Sequence, residues 1–205
     1  MILLHEPNLK GKEKKNLNEC INTNWISTSG KFIDAFEKQI CKITNSKYAI
    51  AVNSGTSALH ISLILSNVKS NDEVIIPTVG FIAPVNAIRY CGANPVFMDV
   101  DEYLNIDVKK TIKFIEEETL TKNNITYNKK TNKKISALIV IHIFGNLVDI
   151  NKLKNICEKK NIKLIEDAAE SFGSYYKSHN KKKITHAGTI GRFGCLSFNG
   201  NKIIT

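Results

Sequence analysis

Residues 137–143 read ALIVIHI, seven residues with a single polar side chain, His142. The run is too short for a membrane-spanning helix and lacks the alternation of a strand with one wet face. It predicts a strand covered on both faces, as in parallel sheets. Shorter segments of the same character stand on either side: DEVIIP at 72–77, PVFMDV at 95–100, KLIED at 163–167 and GCLSF at 194–198, with YAIAV at 48–52 as one more short apolar run. Between them the period becomes helical. Residues 30–44 carry Phe32, Ile33, Phe36, Ile40 and Ile43 at helical spacing, and 56–67, 80–91, 107–119 and 149–160 also read as helices. Pro84 fits the helix at 80–91 only in its first turn, and Asp149 stands where it can cap the helix at 149–160. The alternation predicts an α/β fold with a mostly parallel central sheet flanked by helices.

Composition narrows the class. Of 205 residues, 42% are hydrophobic and 23% charged, which is globular rather than disordered. The opening apolar run, residues 1–4, is too short for a signal peptide or a membrane span. Five cysteines with wide spacings and no CxxC pair argue against a disulfide framework or a structural zinc site, and suit a reducing cytoplasm. The net charge of +10 comes from 29 basic and 19 acidic residues, yet arginine occurs only as Arg89 and Arg192. Arginine is the residue suited to bidentate phosphate and base recognition. The lysine clusters at 129–134 and 181–183 lie in Asn-, Thr- and Ser-rich surroundings and read as solvated loops, with 121–134 expected to be one exposed loop. Neither a nucleic-acid nor a membrane partner is expected.

Open parallel sheets bind ligands at the carboxyl ends of their strands, so the residues following each strand matter most. Asn53-Ser54-Gly55-Thr56-Ser57 leads into a helix and could seat a phosphate, or simply cap the helix; it is neither a Walker A nor a GxGxxG sequence. Phe81 follows the strand at 72–77, either as a stacking aromatic or as a packing one. His142 reads as a satisfied core histidine, since no second histidine stands at metal-ligand spacing. Glu166, Asp167 and Glu170 crowd the end of KLIED. Asp167 closes an apolar strand and needs a cationic or hydrogen-bonding partner, unless it caps a short helix starting at Ala168. Ser197 and Lys202 follow the last strand, and a lysine there could serve as a Schiff-base nucleophile.

The order of these sites is more specific than any one of them. The stretches NWISTSGKFIDAFE, NSGTSALH, DEVIIPTVGFIAPVNAI, GANPVFMDVD, IEDAAESFGS and SFNGNKIIT, spanning nearly the whole chain, resemble the DegT/DnrJ/EryC1/StrS family of sugar aminotransferases. The resemblance implies the large domain of the aspartate-aminotransferase fold (fold type I) and pyridoxal 5'-phosphate as cofactor. It implies that Lys202 bonds the cofactor and shuttles a proton, that Asp167 pairs with the ring nitrogen, and that Phe81 stacks on the ring. Gly55, Thr56, Ser57 and Ser197 would hold the phosphate. Glu170 stands where many relatives have Gln near the ring hydroxyl, a contact that a carboxylate makes only if protonated or turned aside. Trp25, Ser27, Asn199 and Asn201 would shape the substrate site, with residues 1–30 serving substrate or dimer contacts. SFNGNK is similar to the branch acting on UDP-linked N-acetylated 4-keto-6-deoxy sugars, with glutamate as the amino-acid donor and a cytoplasmic homodimer as the full-length form. Family members are about twice this length, so the resemblance further implies an N-terminal portion that lacks the small domain and is inactive or poorly folded alone. The alternative is a non-catalytic relative that binds the cofactor or a partner protein.

Overall fold

The computed structural model describes residues 6–177 and 184–204. The apolar run at 1–4 and the lysine cluster at 181–183 lie outside the described residues. Along the chain come α1 (Glu13–Asn22), α2 (Lys31–Thr44), α3 (Gly55–Leu65), β1 (Glu73–Pro77), α4 (Ile82–Tyr90), β2 (Asn94–Met98), α5 (Val108–Glu117), β3 (Thr119–Lys122), β4 (Ile125–Asn128), β5 (Ile135–Ile141), α6 (Ile150–Lys159), β6 (Lys163–Asp167), β7 (Tyr175–Lys177), β8 (Ile184–His186) and β9 (Phe193–Cys195).

Five strands form the expected parallel sheet in the order β2-β1-β5-β6-β9. Alternate side chains of each strand enter different cores. Val74, Ile76, Ile139 and Ile165 pack with Leu59, Leu63 and Ile88 beneath α3 and α4. Ile75, Leu138, Val140 and Leu164 pack with Ile115, Leu153 and Ile156 beneath α5 and α6. Two covered faces leave no solvent side on which a polar residue would be favoured, which is why β5 is buried along its whole length.

This arrangement also places the cleft. The connection after β1 runs into α4 on one face, whereas that after β5 leads to α6 on the other. Neighbouring strands whose connections diverge open a crevice at their carboxyl ends. Register aligns the remaining ends: Ile141 pairs with Asp167, and Asp167 with Cys195, so β5, β6 and β9 stop level.

Several expectations are corrected. Residues 48–52 form no strand; Tyr48 and Ile50 are exposed, and the Ala51 N–H donates to Glu37 Oε1 at 2.8 Å rather than to a neighbouring strand. An apolar run becomes a strand only beside a partner for its backbone groups. The exposed loop expected at 121–134 is instead largely the antiparallel hairpin β3–β4, turned at Asn123 and Asn124, both at positive φ. Thr126 and Asn128 on β4 are buried, while Lys129 and Lys130 beyond it are exposed. PVFMDV pairs with β1 only as far as Met98, and GCLSF leaves the sheet after Cys195. Asp149 occupies the N-cap position of α6 but makes no capping bond; its carboxylate pairs with Lys152 at 3.1 Å. The exposed helix α1 and the β7–β8 hairpin have polar or short patterns that periodicity did not single out.

Candidate active site

A cleft of about 1460 Å³ opens at the carboxyl ends of the sheet. Its lining brings together Gly55, Thr56, Phe81, Asp167, Glu170, Ser197, Asn199, Asn201 and Lys202, residues drawn from three separate strand ends and α3. Trp25 and Ser27 are exposed on the segment between α1 and α2 and are not among its lining residues. Asn199 and Asn201 bond one another at the exit, Asn199 Nδ2 donating to Asn201 Oδ1 at 2.7 Å.

At one wall stands the start of α3. Ser54 is its cap, accepting the Ser57 N–H on its Oγ at 3.1 Å, and the Ser57 hydroxyl lies 3.0 Å from that same oxygen. Ser57 is therefore engaged within the cap and does not line the cleft. The amides of Gly55 and Thr56 precede the first intrahelical acceptors and carry the positive end of the helix dipole. Ser197 sits directly against them: a Cβ on Gly55 would lie 3.2 Å from Ser197 Cβ and 3.5 Å from its hydroxyl oxygen. A side chain at Gly55 would crowd this close approach, which leaves a hydroxyl beside a helix N-terminus. That donor set matches an anion.

Phe81 lies at the mouth, just before α4, with 75% of its surface exposed. It belongs to neither core of the described residues. Asp167 is its opposite in environment: 5% exposed and closing β6. Burial pushes its carboxyl up to about 6, against the opposing pull of the Ala169 N–H, at 3.1 Å from Oδ1, and of the Lys202 charge. No helix starts at Ala168; Asp167 instead bonds two residues ahead in a turn. Lys202 reaches the same region on the turn after β9, with Nζ 3.3 Å from Glu170 Oε1.

Behind the cleft floor is a network that motif reading did not identify. His142 is fully buried, as a satisfied core histidine should be. Its Nδ1 accepts the Val148 N–H at 3.3 Å, so Nε2 carries the proton and donates to Glu166 Oε2 at 3.0 Å. Glu166, equally buried, also accepts the amides of Gly188, Ile190 and Gly191 at 2.6–2.9 Å. Burial is the largest influence on its carboxyl and opposes ionisation, yet these bonds together hold it below the ordinary glutamate range. A buried carboxylate thus ties the loop before β9 to the ends of β5 and β6. The sequence signal was an acid inside an apolar strand, one residue before Asp167. Phe144 is a second addition: it lines the cleft at φ 50°, ψ 24°, and its N–H donates to Glu170 Oε2 at 2.9 Å.

The chain is similar to known proteins along its whole length. The chain is 39% identical to GDP-perosamine synthase of Vibrio cholerae, covering all of this chain and 50% of that protein. It is 36% identical, at 100% and 49% coverage, to the Bacillus subtilis (strain 168) protein EpsN, assigned as a pyridoxal phosphate-dependent aminotransferase. Among solved structures, the aminotransferase from Psychrobacter cryohalolentis superposes with a TM-score of 0.78 at 27% identity, over 98% of this chain and 46% of that one. The chain spans about half the length of the curated relatives it matches. The model of the DegT/DnrJ/EryC1/StrS aminotransferase family matches residues 7–205, which include every side chain that converges on the cleft, and the chain belongs to that family.

Proposed function

We propose that the protein carrying this chain transfers an amino group to a nucleotide-linked keto sugar with pyridoxal 5'-phosphate as cofactor. The observation that carries this is the convergence of Lys202, buried Asp167, exposed Phe81 and the Gly55–Ser197 contact on one cleft. The residues fit that cofactor. Gly55, Thr56 and Ser197 offer the phosphate amides, a hydroxyl and the helix dipole. Phe81 offers the ring a free aromatic face, and Asp167 offers its nitrogen a carboxylate that burial would otherwise leave poorly compensated. When bound, the cofactor supplies the electron sink for proton removal from the donor carbon.

Lys202 enters as the nucleophile, which requires its neutral amine at the moment of attack, and then carries a proton at Nζ between donor carbon and cofactor. Asp167 keeps the ring nitrogen protonated, and the binding of a cation beside it relieves its own burial. The exposed segments at 25–27 and 199–201 would contact the sugar nucleotide.

The names of the GDP-perosamine synthases support a GDP-linked sugar. The SFNGNK stretch supports a UDP-linked N-acetylated 4-keto-6-deoxy sugar with glutamate as donor, so both classes belong in one assay. A cytoplasmic homodimer as the working form is part of the same reading. The test is a visible-absorbing, borohydride-reducible adduct with pyridoxal phosphate in the full-length protein, followed by turnover of GDP- and UDP-4-keto sugars. Lys202→Ala should abolish the adduct. A wild-type protein that forms no adduct would refute the reading.

A further inference from the structure

Phe144 stands in a backbone conformation that its side chain disfavours. At φ 50°, ψ 24° it lies in the left-handed region, where a bulky residue persists only if its surroundings hold it. Among the described residues, ten other than glycine have positive φ, and eight of these are asparagine, which tolerates this region. The remaining two are Leu104 and Phe144; Phe144 lines the cleft and Leu104 does not. The ring is not placed for the core, since 73% of the residue is exposed. Asparagine would form the same turn with less strain, so folding does not account for a phenylalanine here.

The turn is fastened from several sides. The Phe144 N–H donates to Glu170 Oε2 at 2.9 Å. The Gly145 N–H donates to the His142 carbonyl at 3.2 Å, and the Asn146 N–H to the Ile143 carbonyl at 2.8 Å. Gly145 continues at φ 84°, its carbonyl accepting the Ser174 hydroxyl at 3.1 Å. All these bonds use backbone groups of the turn, so they form without the phenylalanine ring. Glu170 also places the turn. Its Oε1 is 3.3 Å from Lys202 Nζ, so one side chain separates the Phe144 amide from the amine. Phe81 and Phe144 follow β1 and β5, which are neighbours in the sheet.

We infer that Phe144 is a specificity-determining residue whose ring covers the apolar C–H face of the sugar that receives the amino group. That this reactant is a sugar rests on the proposed function; the strained presentation of the ring does not. Under that function Phe81 serves the cofactor ring, which leaves the second exposed aromatic, near Lys202, for a reactant. An amino-acid donor presents carboxylates, which the negative face of an aromatic ring repels. A keto sugar presents a face of hydrogens, or a methyl group, that suits the ring. Its place beside Lys202 sets it against the reacting sugar and away from the nucleotide joined to that sugar. Because the turn already fixes the ring, little further ordering is needed on binding.

The test compares the full-length protein with Phe144→Gly and Phe144→Leu, reading binding and stability separately. Titration calorimetry without an amino donor, so that no turnover occurs, measures GDP- and UDP-4-keto-6-deoxy sugars against bare GDP and UDP. Phe144→Gly should bind the keto sugar about tenfold more weakly, and the bare nucleotide within about twofold of wild type. Phe144→Leu, which keeps apolar area, should fall between. The glycine variant should also unfold at about 0.3 M higher urea, because it relieves the backbone and removes no core contact. The pyridoxal phosphate adduct should form in both variants as in wild type. Unchanged sugar binding, or equal weakening of the bare nucleotide, overturns the assignment. So does loss of the adduct, which would place the ring on the cofactor, or earlier unfolding of the glycine variant, which would make it a packing residue. A wild type that forms no adduct and binds neither sugar refutes the proposed function and this contact with it. A wild type that does both, with variants that match it, refutes the contact alone.

Discussion

Asp167 and Glu166 are adjacent in sequence and opposite in electrostatic fate. Successive strand residues face opposite sides of the sheet, so Asp167 is turned to the cleft and Glu166 to the loop at 188–191. Glu166 receives four hydrogen bonds and stays ionised, whereas Asp167 has the Ala169 amide and is pushed up to about 6. A carboxyl raised on folding binds more protons in the folded state than in the unfolded one, here between about pH 4 and 6. Its contribution therefore favours folding at the acid end of that window, and is lost as pH rises through 6. Asp167→Asn should stabilise the cofactor-free protein by about 3 kcal/mol at pH 7.5, with the advantage fading toward pH 4. Asparagine retains an acceptor for the Ala169 amide. Urea denaturation of both proteins across that range checks this, and a pH-independent difference would show that Asp167 is not the titrating group. The same substitution should weaken pyridoxal phosphate retention, as expected where a binding site is kept at the expense of stability.

At the scale of elements, the β3–β4 hairpin lies at the end of the sheet away from the cleft. Asn128 Nδ2 donates to Glu73 Oε2 at 2.8 Å, at the first residue of β1. The Thr126 hydroxyl donates to the Lys160 carbonyl at 2.6 Å, ahead of β6. These bonds anchor a polar insertion to the strand starts. Asn128→Ala leaves the largely buried Glu73 carboxylate short of a donor and should cost about 1–3 kcal/mol of stability. Cofactor affinity should be unchanged, because the cleft is formed at the other ends of the strands. A variant that unfolds at the wild-type midpoint, or one that binds cofactor more weakly while equally folded, would contradict this division. The hairpin was open to detection beforehand: LTKNNITYN carries a two-residue Asn-Asn turn between short alternating runs. The density of lysine and asparagine masks it, because that composition is also the composition of a solvated loop.

For the whole molecule, the two cores on either side of the sheet each hold one fully enclosed cysteine, Cys195 toward α3 and Cys157 toward α6. Burial pushes both thiols up to about 12. The other three cysteines are partly accessible, and all five are free. Because the thiolate is the reactive form, a disulfide reagent at pH 8 should modify Cys157 and Cys195 only on unfolding, and at one common rate if the two cores open together. Faster reaction at Cys195 would reveal that β9, a three-residue strand at the sheet edge, opens separately. Among the described residues no helix is long and apolar enough to cross a membrane.

What the sequence determined by itself was the set of buried strands, the helices between them and the order of chemical residues along the chain. These follow from periodicity and from local rules: a two-faced strand must be apolar throughout, and Ser54 can cap a helix three residues ahead. Tertiary structure alone decided which residues meet. Residues 48–52 have a strand's composition and, among the described residues, no neighbour to pair with, so they are not a strand. Glu166 and Asp167 look equivalent until pleat and register send one to a ring of amides and the other to the cleft. Glu170 and Lys202 stand 32 residues apart and become an ion pair only because β6 and β9 end side by side. Periodicity is a property of neighbours in the chain, whereas charge pairing and burial are properties of neighbours in space.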